Sequence, residues 1–310
     1  MAAKFESGTV VTPQRKQVAQ PASSTHFQLG KPVYSLKNMV LREEQAQAIE
    51  EVLSLAKYET LIFQTWGLER VIKRGRGLKV NLYGPPGTGK SMAAHAIANE
   101  LDKPLLEVSY AEIESKFVGE TSKNIVALFR TAKEKDVVLF FDEADALLSK
   151  RVTEMHSSTD VSVNQTRSVL LKLLDEYEGI CLFTTNFISN YDPAFMRRIT
   201  RHIHFDLPNE AQRERLWRHY LVETLPNEAN IALLAQKYTG VSGADIANAV
   251  LNAAIHGAAS HTAQIPHRYF EQAMEDILRA RQENQGKEQI TSREVSEEYV
   301  QNALKGAAII

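Results

Sequence analysis

The chain has 310 residues, of which 44% are hydrophobic, 8% aromatic and 24% charged, and its 36 Lys and Arg against 38 Asp and Glu leave a net charge of −2. That is the balance of a globular protein with a sizeable core; it excludes a disordered chain and a basic coat for nucleic acid, so no nucleic-acid partner is expected. One cysteine, Cys181, excludes an intramolecular disulfide and any multi-cysteine metal site, and no apolar run is long enough to span a membrane.

Residues 1–34 mix Pro13, Pro21, Pro32, Gly8 and Gly30 with a Ser-Ser-Thr run and read as a flexible tail, without the apolar stretch of a secretory signal. A cytoplasmic protein is expected. From Glu43 onward Ala46, Ile49, Val52, Leu53 and Ala56 fall at helical spacing. Five short apolar runs follow, at 78–83, 104–110, 137–142, 179–185 and 202–205. Near-continuous apolar runs separated by helical segments predict buried parallel strands with crossover helices. Ile125, Leu128, Phe129 and Ala132 mark the inner face of one such helix. Beyond Pro208 only helical patterns remain, built on Leu216, Tyr220 and Leu221, then Ile231, Leu234 and Ala235, then Ile246, Val250, Leu251 and Ala254, then Phe270, Ala273, Met274, Ile277 and Leu278. Thr291 with Glu294 reads as a capping box opening a last helix. The expected fold is α/β, a five-stranded parallel sheet with flanking helices over 35–206 and a small all-α region over 207–310.

Gly84-Pro85-Pro86-Gly87-Thr88-Gly89-Lys90-Ser91 fits the phosphate-loop pattern GxxxxGK followed by Ser or Thr, between a strand and a helix that opens at Met92. Glycines let backbone N–H groups approach phosphate closely, and the helix N-terminus adds positive potential. Lys90 is expected on the β- and γ-phosphates and Ser91 on Mg²⁺. About 50 residues on, the third apolar run ends in Asp142-Glu143, which a parallel sheet would deliver to its carboxyl edge beside the loop. Asp142 suits Mg²⁺, and Glu143 suits the attacking water, so nucleotide hydrolysis is expected rather than binding alone. Asp145 reads as a helix N-cap. His202 and His204 share one strand face without a metal-site motif, which favours a structural role.

Over residues 40–305 these features resemble the AAA+ superfamily, whose members bind and hydrolyse ATP with Mg²⁺. Thr184-Thr185-Asn186 resembles sensor 1, which implies that Asn186 helps hold the lytic water. Asp192-Pro193-Ala194-Phe195-Met196-Arg197-Arg198 resembles the segment that carries the arginine finger, which acts on the ATP of a neighbouring subunit. The family's RPGR spacing is shortened here, leaving Arg198, then Arg197, then Arg201 as candidates. Val241-Ser242-Gly243-Ala244-Asp245 resembles the GAD-type sensor 2 of the AAA clade without a sensor 2 arginine; Gly243 and Ala244 would pack near the nucleotide. Met39 and Val40 resemble the stretch lining the adenine pocket, or are ordinary core. Lys116-Phe117-Val118-Gly119 resembles pore loop 1 of AAA unfoldases, with Phe117 and Val118 gripping substrate; the alternative is a helix start packed in the core. The polar segment 150–164 is a second candidate for the pore.

The layout of one ATPase module, with Trp66-Gly67-Leu68 and Arg74-Gly75-Arg76-Gly77 ahead of the phosphate loop, resembles bacterial relatives of the eukaryotic HORMA-domain remodellers. The resemblance implies a homohexamer that disassembles or unfolds a HORMA-domain protein, bound or not to a cyclic-oligonucleotide synthase, and so restrains CBASS antiviral signalling. Eukaryotic remodellers carry a sensor 2 arginine where this chain has Ala244, and an N-terminal adaptor-binding domain is not seen. A general unfoldase and a nucleic-acid motor or loader are the alternatives.

Overall fold

The computed structural model describes residues 29–73, 75–109, 120–148, 158–186 and 191–288. Phe117 and Val118, residues 150–157 of the second pore candidate, the capping box at Thr291 and most of the N-terminal tail lie outside them.

Five parallel strands, β1 (Lys79–Tyr83), β2 (Leu105–Ser109), β3 (Val138–Asp142), β4 (Cys181–Thr185) and β5 (Arg201–His204), lie in the order β2-β3-β4-β1-β5. Helix α1 (Glu43–Lys57) precedes β1, α2 (Lys90–Glu100) follows it, and α3 (Glu120–Lys135) leads into β3. After β3 come the single turn α4 (Asp145–Leu148) and the long α5 (Ser158–Glu176); α6 (Pro193–Met196) is another single turn, ahead of β5. Helix α5 takes in residues 158–164, so the far end of the second pore candidate is helical.

The alternation along β3 explains the unbroken apolar run. Leu139 and Phe141 enter the core on one face with Phe183, Ile125, Leu128 and Leu174; Val138 and Phe140 enter the core on the other with Val80, Leu82, Ile97 and Ile49. A strand covered on both faces has no polar side, which is why its sequence does not alternate. Phe141 stacks on Phe183 with centroids 5.1 Å apart. Residues 29–34, read with the tail, include Gly30, which exchanges both backbone hydrogen bonds with Leu105 on the edge strand β2, at 2.8 and 3.0 Å.

After β5 the chain is helical: α7 (Glu210–Tyr220), α8 (Ile231–Lys237), α9 (Gly243–Ala259) and α10 (His267–Glu288). Their core is separate, built around Trp217 and Phe270 in an edge-to-face pair at 6.2 Å. On α9 the buried face is Ile246, Ala249, Val250, Ala253 and Gly257. Leu251, expected there, is 58% exposed, because one residue beyond Val250 turns a helix by about 100°. Arg42, at the N-cap of α1, ties the two parts together: its guanidinium reaches Asp206 at 3.0 Å, the Leu207 carbonyl at 3.0 Å and the Gln212 side chain on α7 at 3.3 Å.

Candidate functional site

Parallel pairing brings the carboxyl ends of β1, β3 and β4 side by side, at the reversal of strand order where ligands of open α/β sheets bind. The loop 84–89 leaves β1 there and enters α2. Its glycines are demanded by the fold: Gly84, Gly87 and Gly89 have φ of 143°, 74° and 94°. A Cβ on Gly84 would stand 2.1 Å from the Phe205 carbonyl oxygen, and one on Gly87 would stand 2.5 Å from Ser242 Oγ. The Thr88 hydroxyl donates to the Pro85 carbonyl at 2.8 Å and pins the turn. Pro86 completes the loop between Pro85 and Gly87. The Lys90 ammonium donates to the Gly84 and Pro85 carbonyls, each at 2.8 Å, and to Asn186 Oδ1 at 3.1 Å. Burial lowers its pKa below the usual lysine value, against the opposing pull of Asp145, Asp142 and Glu143.

The Ser91 hydroxyl donates to the Asp142 carboxylate at 3.0 Å. A hydroxyl and a carboxylate at the end of an anion cradle are the hard oxygen donors that suit Mg²⁺ beside phosphate, so the residues present fit both groups. Glu143 follows at φ 49°, in the left-handed region, with its side chain exposed. For a residue other than glycine that conformation costs about 1–3 kcal/mol. Thr184 on β4 bridges the pair: its hydroxyl donates to Asp142 Oδ1 and accepts the Glu143 N–H at 3.0 Å. The sequence places Thr184 in the sensor 1 stretch but gives it no role, because a threonine in a strand carries no signal of a contact to the next strand. Asp145, expected as an N-cap, instead lies inside α4 and accepts the Asn186 N–H at 3.1 Å, which fixes the turn that presents Asn186.

A cleft of about 400 Å³ opens beside the loop. Met39 and Val40 line one side, Gly87 to Met92 the floor, and Leu216, Tyr220, Gly243 and Ala244 of the helical part the other. The structure thus brings together every described phosphate-loop, acid and GAD residue singled out above. The arginines stand elsewhere. Arg198 pairs with Asp175 at 2.8 Å and donates to the Ala194 carbonyl, and Arg201 pairs with Glu51 at 2.7 Å. Arg197 is exposed and makes no ion pair among the described residues; its Nε donates to the Pro193 carbonyl. His204 stacks on Tyr83 at 4.7 Å and pairs with Asp206, while burial lowers the pKa of His202, against a backbone hydrogen bond at Met196.

Residues 80–207 match the ATPase family associated with various cellular activities (AAA). The chain is similar to the 26S proteasome regulatory subunit 8 homolog of Saccharomyces cerevisiae, 33% identical over 248 residues, which are 77% of this chain and 60% of that protein. It is also similar to the proteasome-activating nucleotidase of Saccharolobus solfataricus, 33% identical over 257 residues, 80% of this chain and 64% of that protein. It thus spans about three fifths of the length of the curated relatives it matches.

Proposed function

We propose that this chain, whose residues 80–207 form an AAA ATPase domain on a P-loop NTPase fold, is an ATP hydrolase. The observation that carries the reading is the contact of Ser91 with Asp142 at the end of the glycine cradle, with Glu143 exposed one residue further on. The backbone N–H groups of Gly87 to Met92 would wrap the triphosphate, with Gly84, Pro85 and Pro86 shaping the loop, and Lys90 would bind its β- and γ-oxygens. Ser91 and Asp142 would hold Mg²⁺, which when bound neutralises charge on the phosphate oxygens. The Glu143 carboxylate would take the proton of the attacking water while the Asn186 amide orients it. Met39, Val40, Gly243 and Ala244 would enclose the base and sugar. Glu143→Gln tests this: nucleotide affinity is expected to stay within about threefold and turnover to fall by about 10²–10⁴. Turnover at the wild-type rate would remove Glu143 from that role.

We further propose a homohexamer that remodels proteins. Arg197, exposed at the C-cap of α6 without an acidic partner among the described residues, is suited to reach a neighbour's nucleotide, and a heterologous contact of that kind, repeated with a rotation that closes, forms a ring. Sequence puts Arg198 first; its pairing with Asp175 inside its own chain is why we put Arg197 first. The similarity to a proteasome-activating nucleotidase supports action on proteins, and the Phe117-Val118 pair, outside the described residues, is the proposed grip on the substrate. The finer reading, a HORMA-domain substrate and restraint of a cyclic-oligonucleotide synthase, rests on the layout of the sequence ahead of the phosphate loop. Capture from native lysate with the Glu143→Gln protein and ATP separates the readings. A HORMA-domain protein supports the finer one, a spread of unrelated polypeptides supports a general unfoldase, and nuclease-sensitive nucleic acid overturns both.

A further inference from the structure

We infer that Thr184 is a positioning residue for the two acids that follow β3, an inference that rests on the ATP-hydrolysis reading of the site. Thr184 is buried on β4, between β3 and β1. Its hydroxyl donates to Asp142 Oδ1 and at the same time accepts the Glu143 N–H at 3.0 Å. Its own carbonyl accepts the Ala144 N–H at 2.9 Å. One residue of β4 thereby holds the side chain of Asp142 and the backbone of both residues after it.

Two consequences follow from the chemistry. The same Asp142 oxygen accepts the Ser91 hydroxyl, so fixing that carboxylate also fixes the pair proposed to hold the metal. Meanwhile Glu143 sits at φ 49°, a conformation that persists only where surrounding contacts over-determine it. Without the Thr184 hydroxyl the Glu143 N–H keeps only Asp142 Oδ1 at 3.2 Å, the carboxylate that Thr184 itself steadies. The role needs a group that donates and accepts from one atom, which serine shares with threonine and valine lacks. If Thr184 served only as a β-branched strand residue, valine would be tolerated at least as well.

The test compares Thr184→Val and Thr184→Ser in the full chain, by steady-state ATP hydrolysis and by titration of Mn²⁺, read by electron paramagnetic resonance, into protein saturated with a non-hydrolysable ATP analogue. For Thr184→Val, kcat is expected to fall about 10–100-fold with KM for ATP nearly unchanged, since small misplacements of reacting groups cost rate rather than ground-state binding. Mn²⁺ affinity is expected to fall about tenfold, as when the partner of a ligating carboxylate is lost. Thr184→Ser restores both. Wild-type kcat and Mn²⁺ affinity in Thr184→Val would overturn the inference, as would a loss that serine does not rescue. Should the valine protein fail to fold, Thr184→Ala against Thr184→Ser carries the same comparison. If the wild-type chain hydrolyses no ATP, the activity reading fails by itself, and the Mn²⁺ comparison still decides whether Thr184 positions Asp142.

Discussion

The Gly87 carbonyl accepts the Ala244 N–H at 3.1 Å, so the first turn of α9 rests directly on the phosphate loop. Ser242 caps that helix, and Asp245, three residues on, answers its backbone N–H and its hydroxyl. Arg281 reaches across from α10 to the same carboxylate. Burial raises the pKa of Asp245, but the bonds from Ser242 and Arg281 outweigh it and hold the carboxyl below its ordinary value. Among the described residues, the helical part therefore touches the loop through main chain and a small side chain, not through an arginine.

Gly87→Ala tests that contact. At φ 74° an alanine is strained by about 1–2 kcal/mol. Its Cβ would also stand 2.5 Å from Ser242 Oγ and 3.0 Å from the Ala244 Cβ. The expected outcome is at least about tenfold weaker binding of a fluorescent ATP analogue, equivalent to about 1.4 kcal/mol. Unchanged affinity would mean that α9 can lift from the loop without consequence for the nucleotide.

The parts of this arrangement differ in how far sequence alone reveals them. Strands β1 to β4 begin within two residues of the apolar runs that predict them; β3 and β4, buried on both faces, keep those runs nearly unbroken, while β1 buries Lys79 and Asn81 among its apolar residues and the edge strand β2 exposes Glu107. The phosphate loop and Asp142-Glu143 are legible because their chemistry requires fixed residue types at fixed spacing. The left-handed φ of Glu143 and the bridge from Thr184 are not, since both depend on the register of β3 against β4. The difference between Arg197 and Arg198 is equally hidden: two adjacent arginines look alike until the fold brings Asp175 to one of them.

Cys181 offers a check on the core that is independent of nucleotide. It is fully buried on β4, and burial pushes its thiol up to about 12, with Lys79 pulling weakly the other way. A thiolate reagent at pH 8 is expected to leave the native protein unlabelled and to label it stoichiometrically in denaturant. Burial of the neutral thiol makes stability depend on pH. The unfolded thiol ionises near 9.0 and the folded one near 12, so its contribution is complete below pH 9 and is lost as pH rises from 9 toward 12. The depressed pKa of Lys79 acts in the opposite direction, and Cys181→Ala leaves that lysine in place. Urea unfolding of the two proteins between pH 8 and 10.5 should show a steeper alkaline loss in the wild type, by up to about 1.4 kcal/mol per pH unit. Parallel profiles, or prompt labelling of the native protein, would contradict the buried position.

The two arginines that follow α6 differ in what they hold. Arg198 ties the turn after α6 to α5 through a half-buried pair with Asp175, so Arg198→Ala is expected to lower stability by about 1 kcal/mol and to keep most of the ATP turnover. Arg197 has no such strut. Arg197→Ala is expected to leave the melting temperature unchanged and to cut turnover by about 10³ or more, the loss that follows removal of a finger. Because the finger would act on a neighbour, mixing Arg197→Ala with Lys90→Ala subunits should restore activity: one supplies an intact nucleotide site and the other an intact arginine. Restoration with Arg198→Ala in its place, and none with Arg197→Ala, would return the role to Arg198. Its pair with Asp175 would then be a contact that breaks when subunits assemble.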